Sequence, residues 1–104
     1  MAKDNIKLIS IICPVHNEEA SIPIFLQRLH ESIFPLKGRY NFELIFVNDG
    51  SNYGTMGLIK EECDCNKTVQ LISLSRNFGY HPAVLSGLQH ASGVAMIIIA
   101  ADCE

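Results

Sequence analysis

Four short apolar runs alternate with three segments of helical periodicity along the chain. The runs span residues 7–13, 42–47, 68–74 and 94–100, and their lengths are typical of buried β-strands. Strands that are apolar throughout, rather than alternating with polar residues, occur in parallel sheets with both faces covered. The pattern therefore predicts a β-α-β-α-β-α-β order and a parallel sheet with helices on both faces.

The segments between these runs carry apolar residues three and four positions apart, which predicts helices. The first helix begins with Ser21 as its N-cap and ends before Pro35, the second spans residues 55–62, and the third spans residues 81–91. Pro14 is predicted to end the first strand, and Gly93 to end the third helix. The residues predicted to face the core are Ile22, Phe25, Leu26, Leu29 and Ile33 in the first helix, Met56, Ile59 and Cys63 in the second, and Val84, Leu85 and Leu88 in the third.

Length and composition fit one packed domain. Together with the order of its elements, they predict an α/β domain with a Rossmann-like sheet. The chain has 104 residues, of which 48% are hydrophobic and 18% charged, and this balance favours a packed core over disorder. We therefore treat residues 1–104 as a single domain. Because the sequence offers no element to cover the fourth strand, we expect the domain to be a piece of a longer protein.

Charge and cysteine usage exclude several classes of function. The net charge of −3 and the lack of a basic cluster predict no nucleic-acid partner. No apolar stretch is long enough to span a membrane, and the polar N-terminus lacks the form of a signal peptide, so we expect a cytoplasmic protein. Among the four cysteines, Cys63 and Cys65 are spaced too closely for the common zinc frameworks, and we expect reduced thiols.

Polar side chains follow each of the four strands. The first strand leads into Pro14-Val15-His16-Asn17-Glu18-Glu19, and the second into Asn48-Asp49-Gly50-Ser51. The third leads into a loop with Arg76, and the fourth into Asp102. Ligands of open α/β sheets bind in the crevice at the carboxyl ends of the strands, so these four loops predict one pocket.

Each polar group has both a binding and a structural interpretation. The Asp49 carboxylate can accept hydrogen bonds from a base or a ribose hydroxyl, with Gly50 allowing close backbone approach, or it can cap its turn or a helix. Asn17 or Glu18 can bind a ribose or a base edge, or cap the first helix. His16 can contact a ligand ring, although most loop histidines are simply solvated, which is what we expect here.

The remaining two loops carry groups suited to phosphate and metal. Arg76 and the start of the third helix can together neutralise a diphosphate, although Arg76 could equally pair with a surface carboxylate. Asp102 is a natural ligand for Mg²⁺ or Mn²⁺, although it could equally be a solvated chain end. The joint placement of these groups is the layout expected of a nucleotide-diphosphate site.

The chain resembles the N-terminal part of the family 2 glycosyltransferases, which have the GT-A fold. The resemblance rests on Ile11–Glu19, Phe46–Ser51, Leu74–Gly79 and Ala101-Asp102, and covers almost the whole chain. The run from Ser75 to Gly79, with Gly87, Leu88 and Gly93 after it, is most similar to the polyprenyl-phosphate branch, which includes dolichyl-phosphate mannosyltransferase and bactoprenol glucosyltransferase-like enzymes.

This resemblance implies a UDP- or GDP-sugar donor, a divalent cation (Mg²⁺ or Mn²⁺), and a lipid phosphate as one possible acceptor. It implies that Asp102 binds the metal. It implies that the nucleotide-binding residues are Pro14, Val15, Asn17, Glu18, Asp49, Gly50, Ser51 and Arg76. The chain would be the donor-binding half of a longer enzyme and inactive alone. Membrane contact, at the cytoplasmic face, would come through segments outside these 104 residues.

Two departures from the family pattern leave other functions open. Ala100 stands where the family's Asp-x-Asp motif has its first Asp, and His16 stands where an aromatic residue is usual. A non-catalytic module that binds nucleotide without transferring a sugar is therefore one alternative. A receiver-like signalling domain is another, although no lysine follows any predicted strand. We also expect the open edge of the sheet to allow pairing between copies of the chain.

Overall fold

The computed structural model describes residues 6–16, 22–50, 53–65, 68–74 and 79–99. Its strands are β1 (Lys7–Val15), β2 (Tyr40–Asn48), β3 (Val69–Ser73) and β4 (Ala95–Ile98). Its helices are α1 (Ile22–Ile33), α2 (Tyr53–Cys65) and α3 (Tyr80–His90), and a short 3₁₀ helix, Phe34–Leu36, follows α1. None of the helices in these ranges is long and apolar enough to cross a bilayer.

The four strands form one parallel sheet in the order β3-β2-β1-β4. β1 lies at the centre, pairs with β2 from Lys7↔Tyr40 to Val15↔Asn48, and pairs with β4 from Ile9↔Ala95 to Ile12↔Ile98. Strand order and helix placement confirm the predicted Rossmann-like α/β class. All strands run in one direction, so their carboxyl ends lie at the same edge of the sheet.

Successive residues of β1 enter two separate cores, one on each face of the sheet. On one face, Ile11, Cys13 and Val15 pack with α1 and α2. The rings of Phe25 and Phe46 meet there edge to face with centroids 6.1 Å apart. On the other face, Ile12 packs with Ile45 and Val47 of β2 and with Ala83 of α3. The sheet is therefore covered on one face by α1 and α2 and on the other face by α3.

The prediction that Pro14 ends β1 is wrong by two residues. β1 continues to Val15, and Pro14 pairs with Val47 in the parallel register. The Leu8 and Ile12 carbonyls accept bonds from Val94 and Ile99, whereas the Val15 carbonyl accepts one from Asp49. The backbone N–H and C=O groups of successive residues in a strand point alternately toward its two neighbouring strands. The Pro14 nitrogen therefore faces the β4 side, beyond the last residue of β4. Its missing N–H therefore costs no ladder bond to β4.

Helix α3 packs on the sheet through Ala83 and Gly87, and the predicted core residues Val84 and Leu88 are buried or packed against the core, but Leu85 is not. Leu85 is 56% exposed, which corrects the expectation that it faces the core, whereas Ala83 is fully buried. A Cβ atom on Gly87 would lie 2.5 Å from Cγ2 of Ile12 and 3.1 Å from Cγ2 of Val47. α3 therefore lies closer to β1 and β2 than a helix with larger residues at these positions could.

A buried carboxylate, which the sequence pattern gives no reason to expect, joins α3 to the sheet at the amino end of the strands. Glu43 of β2 accepts hydrogen bonds from the Ser10 hydroxyl, from Gln70 (3.2 Å) and from the backbone N–H of Ser92 (2.7 Å). The Ser10 oxygen in turn accepts a bond from the Gly93 N–H at 2.8 Å. These bonds hold the connection between α3 and β4 against β1 and β2, and they satisfy a charge that is only 7% exposed.

β4 forms one edge of the sheet, and all four of its residues are exposed. Met96, Ile97 and Ile98 are each between 43% and 47% exposed, and Val94 just before the strand is 71% exposed. The edge carries no charge, proline or bulge within the strand, which are the usual features that prevent edge pairing.

Replacing Gly87 with alanine is expected to destabilise the fold by about 1–3 kcal/mol, because the added methyl overpacks the contact with Ile12. Gly57 of α2 is the matched control, since a Cβ there meets nothing within 4 Å. Gly57→Ala should instead stabilise the protein by up to about 1 kcal/mol through helix propensity. Urea unfolding of both variants measures the difference, and equal effects would show that the close approach of α3 carries no packing constraint.

Candidate functional site

Asp49 is the residue at which the carboxyl-end loops meet. It follows β2 directly and is 5% exposed. Its N–H donates to the Val15 carbonyl at 2.9 Å, which extends the β1–β2 ladder past the end of β2. Its Oδ2 accepts a hydrogen bond from the Gly79 N–H at 3.0 Å. One residue therefore connects the ends of β1 and β2 to the start of α3.

The Asp49 side chain caps a helix, although not the helix that follows it in sequence. Gly79 is the N-cap residue of α3, with φ +104°, and its carbonyl accepts the first helical bond from the Ala83 N–H at 3.2 Å. The carboxylate thus lies at the positive end of the α3 dipole. The predicted proximity of this helix start to the strand ends is present in the structure, and it is Asp49 that establishes it.

Gly50 takes the left-handed conformation, with φ +76°. Residues with a Cβ atom are strained there, so the turn after Asp49 requires glycine. The expected role of Gly50 in bringing the backbone close to a ligand stays a prediction.

His16 is exposed, but it is not simply solvated as expected. Its Nδ1 lies 2.7 Å from the carbonyl oxygen of Asp49. A carbonyl oxygen only accepts, so Nδ1 carries the proton and donates. The loop after β1 and the turn after β2 are therefore tied together by a side chain as well as by the ladder bond.

The structure brings four of the predicted site residues together: Pro14, Val15, Asp49 and Gly50. Pro14 and Val15 are buried, and the Val15 side chain belongs to the core beneath α1, so these two residues support the crevice from below. The other predicted residues lie outside the described part of the chain. They are Asn17, Glu18, Ser51, Arg76 and Asp102.

Titratable groups on α1 and α2 form a separate cluster away from the strand ends. The Nε2 atom of His30 lies 3.0 Å from Oε2 of Glu62. Burial, followed by the nearby charges of Asp64 and Glu62, raises the pKa of the Cys63 thiol and favours its protonated form. Within the described ranges, no three His, Cys, Asp or Glu side chains lie close enough together to hold a metal ion.

The best-defined cavity in the described part of the molecule lies at the opposite end of the sheet from Asp49. It has a volume of about 450 Å³ and is lined by the first residues of β2 and β3 and by the end of α1. Ligand sites of open α/β sheets lie at the carboxyl ends of strands, so the chemistry and the cavity volume point to different places. The candidate site is therefore placed at the carboxyl ends, where Asp49, Gly50 and the start of α3 lie together.

Comparison with known proteins places this geometry in a family. The Glycosyl transferase family 2 model matches residues 10–104. The bactoprenol glucosyl transferase of Shigella phage SfV is 41% identical over 96 residues, which are 92% of this chain and 31% of that protein. The undecaprenyl-phosphate 4-deoxy-4-formamido-L-arabinose transferase of Aeromonas hydrophila is 37% identical over 100% of this chain and 32% of its own length.

A solved structure shares the architecture. The mannosyltransferase PcManGT from Pyrobaculum calidifontis, in complex with GDP-Man and Mn²⁺, superposes with a TM-score of 0.79 over 93% of this chain and 28% of its own. Its sequence identity is 23%, so this likeness shows the fold alone. The chain spans less than a third of the curated relatives and of this structure. With nearly its whole length matched by the family model, the chain belongs to glycosyl transferase family 2.

Proposed function

We propose that the chain is the donor-binding part of a glycosyltransferase, which binds a UDP- or GDP-sugar at the carboxyl ends of β1 and β2. The observation that carries this proposal is the buried Asp49 carboxylate at the strand end, held between β1 and the start of α3. Family membership supports glycosyl transfer as the reaction of the whole protein.

In this proposal the Asp49 carboxylate accepts hydrogen bonds from the nucleoside. A carboxylate has two oxygens with about four lone-pair sites, so one carboxylate can accept a bond from the Gly79 N–H and also bonds from a base N–H or a ribose hydroxyl. We expect Asn17 and Glu18 to bind the nucleoside as well. We expect Arg76 and the α3 N-terminus to bind the diphosphate, where a cation is needed because Asp49 places a negative charge at this helix end.

We further propose that Asp102 is a ligand for Mg²⁺ or Mn²⁺. A carboxylate oxygen suits either ion, and phosphate oxygens of the donor commonly complete such coordination. The Mn²⁺ and GDP-Man in the Pyrobaculum mannosyltransferase complex support this choice of cofactor and donor. When bound, the metal would neutralise charge on the leaving diphosphate.

We propose a polyprenyl phosphate as the acceptor and the cytoplasmic face of a membrane as the place of reaction. Support comes from the names of the relatives, which act on bactoprenol and undecaprenyl phosphate. The chain would be the N-terminal nucleotide-sugar-binding half of a longer enzyme and inactive by itself, since it spans only 31% and 32% of these relatives. We assign no catalytic base among its residues.

A non-catalytic nucleotide-binding module would use the same pocket, and Ala100 motivates this second candidate. Sugar transfer separates the two functions. Turnover of a sugar nucleotide by the full-length protein would exclude the module, whereas nucleotide binding without turnover would favour it.

Calorimetric titration of the chain with UDP and with GDP, in the presence of Mn²⁺, should reveal binding of one nucleotide. Asp49→Asn should weaken that binding roughly tenfold to a hundredfold, because it removes charge-assisted hydrogen bonds. The asparagine oxygen can still accept from the Gly79 N–H, so this variant retains the α3 cap. Asp64→Asn on the exposed surface of α2 is the matched control and should bind as the wild type does. Binding of neither nucleotide by the full-length protein would refute the proposal.

Asp102→Ala should weaken nucleotide binding when Mn²⁺ is present and leave it unchanged when EDTA is present, because the residue acts through the metal. The same titration with and without chelator measures this difference. An equal loss under both conditions would contradict a metal ligand and indicate a direct or structural role for Asp102.

We also propose that the chain self-associates through the exposed apolar edge of β4. Ile97→Lys should shift the sedimentation profile at high concentration toward monomer, since an edge lysine opposes strand pairing. Ile24→Lys, which replaces another half-exposed isoleucine on α1 rather than on the sheet, should leave the profile unchanged. A wild-type protein that sediments as a monomer at every concentration would rule this association out.

A further inference from the structure

The hydrogen bond from His16 to Asp49 acts on the peptide that gives the turn its shape. The accepting carbonyl belongs to the Asp49–Gly50 peptide, and the Nδ1–O distance is 2.7 Å. Gly50, at φ +76°, lies on the other side of that peptide. Glycine populates positive and negative φ about equally, so it imposes little preference on the orientation of the peptide plane. A hydrogen-bond partner can therefore set the direction of the Asp49 carbonyl, and His16 is placed to do so.

Hydrogen bonds connect Asp49 to other segments of the chain. Its N–H donates to the Val15 carbonyl, its Oδ2 accepts from the Gly79 N–H, and its carbonyl accepts from His16. The first two bonds locate the residue relative to β1 and α3. The bond from His16 holds the plane of the Asp49–Gly50 peptide, and with it the direction of the Gly50 N–H.

We propose that His16 is a positioning residue of the donor site, whose Nδ1–H holds the Asp49–Gly50 peptide in its nucleotide-binding orientation. This inference rests on the proposed function, because it is the nucleotide that Asp49 and Gly50 would contact. His16 acts through Asp49 and needs no contact with the nucleotide. The side chain thus gives the first loop a structural role that does not depend on aromatic stacking.

The contact predicts a specific tautomer. A neutral imidazole that donates from Nδ1 leaves Nε2 unprotonated, and this is the minor tautomer of free histidine. His90 should share it, because its Nδ1 donates to the Ser86 carbonyl at 2.9 Å. His30 should show the opposite tautomer, because its Nε2 donates to the Glu62 carboxylate at 3.0 Å. His16 is therefore the residue under test, and His90 and His30 serve as internal references for the two tautomers.

Long-range ¹H–¹⁵N correlation spectra of the uniformly labelled chain at alkaline pH test the contact without any nucleotide. The Nδ1–H pattern is expected for His16 and His90, and the Nε2–H pattern for His30. An Nε2–H pattern for His16 would overturn the inference, since Nδ1 could then not donate to the Asp49 carbonyl.

Two nearly isosteric variants test the functional consequence. Asparagine places an N–H donor close to the position of Nδ1, whereas leucine has the same shape without a donor. His16→Leu should weaken nucleotide binding between about fourfold and tenfold, as expected for one hydrogen bond, and His16→Asn should restore affinity to within about twofold of the wild type. The Gly50 amide cross-peak should shift in the leucine variant and return in the asparagine variant.

His90→Leu is the matched control, because it removes another Nδ1 donor to a backbone carbonyl on α3. It should bind nucleotide as the wild type does. If His16→Leu also binds as the wild type does, the positioning role is refuted. If the leucine and asparagine variants lose affinity equally, the ring rather than its hydrogen bond is needed, and the inference is again refuted. A wild type that binds no nucleotide refutes the proposed function and the donor-site role together, while the tautomer spectrum still decides the contact.

Discussion

The fold depends on the burial of β1 on both faces of the sheet. Odd-numbered residues from Ile11 to Val15 enter the core beneath α1 and α2, while Ile12 enters the core beneath α3. A strand buried on both sides must have helices on both sides, and parallel pairing then brings all strand ends to the same edge. The crevice where β1 and β2 end is a direct consequence, and it is the place where the polar loops gather.

Helix α3 is attached to the sheet by carboxylates at both of its ends. Asp49 accepts from Gly79 at the start of α3, and Glu43 accepts from Ser92 just after its end. Both acidic residues belong to or directly follow β2. Between them, the absence of a side chain at Gly87 lets the helix approach Ile12 closely. The helix that presents its positive end to the crevice is therefore fixed along its whole length, which keeps that end in place without a ligand.

The sequence predicted the order, type and approximate extent of the four strands and three α-helices, because apolar runs and helical spacing depend on local chemistry, but it did not predict the 3₁₀ helix Phe34–Leu36. It failed where the answer depends on a distant partner. Leu85 has the spacing of a core residue, but α3 packs through Ala83 and Gly87, and only the close helix–sheet approach reveals that choice. Glu43 finds partners 27 to 49 residues away in sequence, so nothing in its own segment marks it as a buried charge.

For the candidate site, the sequence predicted that polar groups follow the strands, and it treated the two interpretations of Asp49 as alternatives. The geometry makes them compatible. A carboxylate that is already bonded to the Gly79 N–H has lost its rotational freedom before a nucleotide arrives, so less conformational entropy remains to be lost on binding. The same carboxylate reduces the positive potential at the start of α3, and in the proposed site this cost would fall on the diphosphate rather than on the nucleoside. A cation such as Arg76 would offset it. In the proposed site, capping and binding by Asp49 would therefore follow from one position, and the His16 bond would extend the same preorganisation to the peptide that follows.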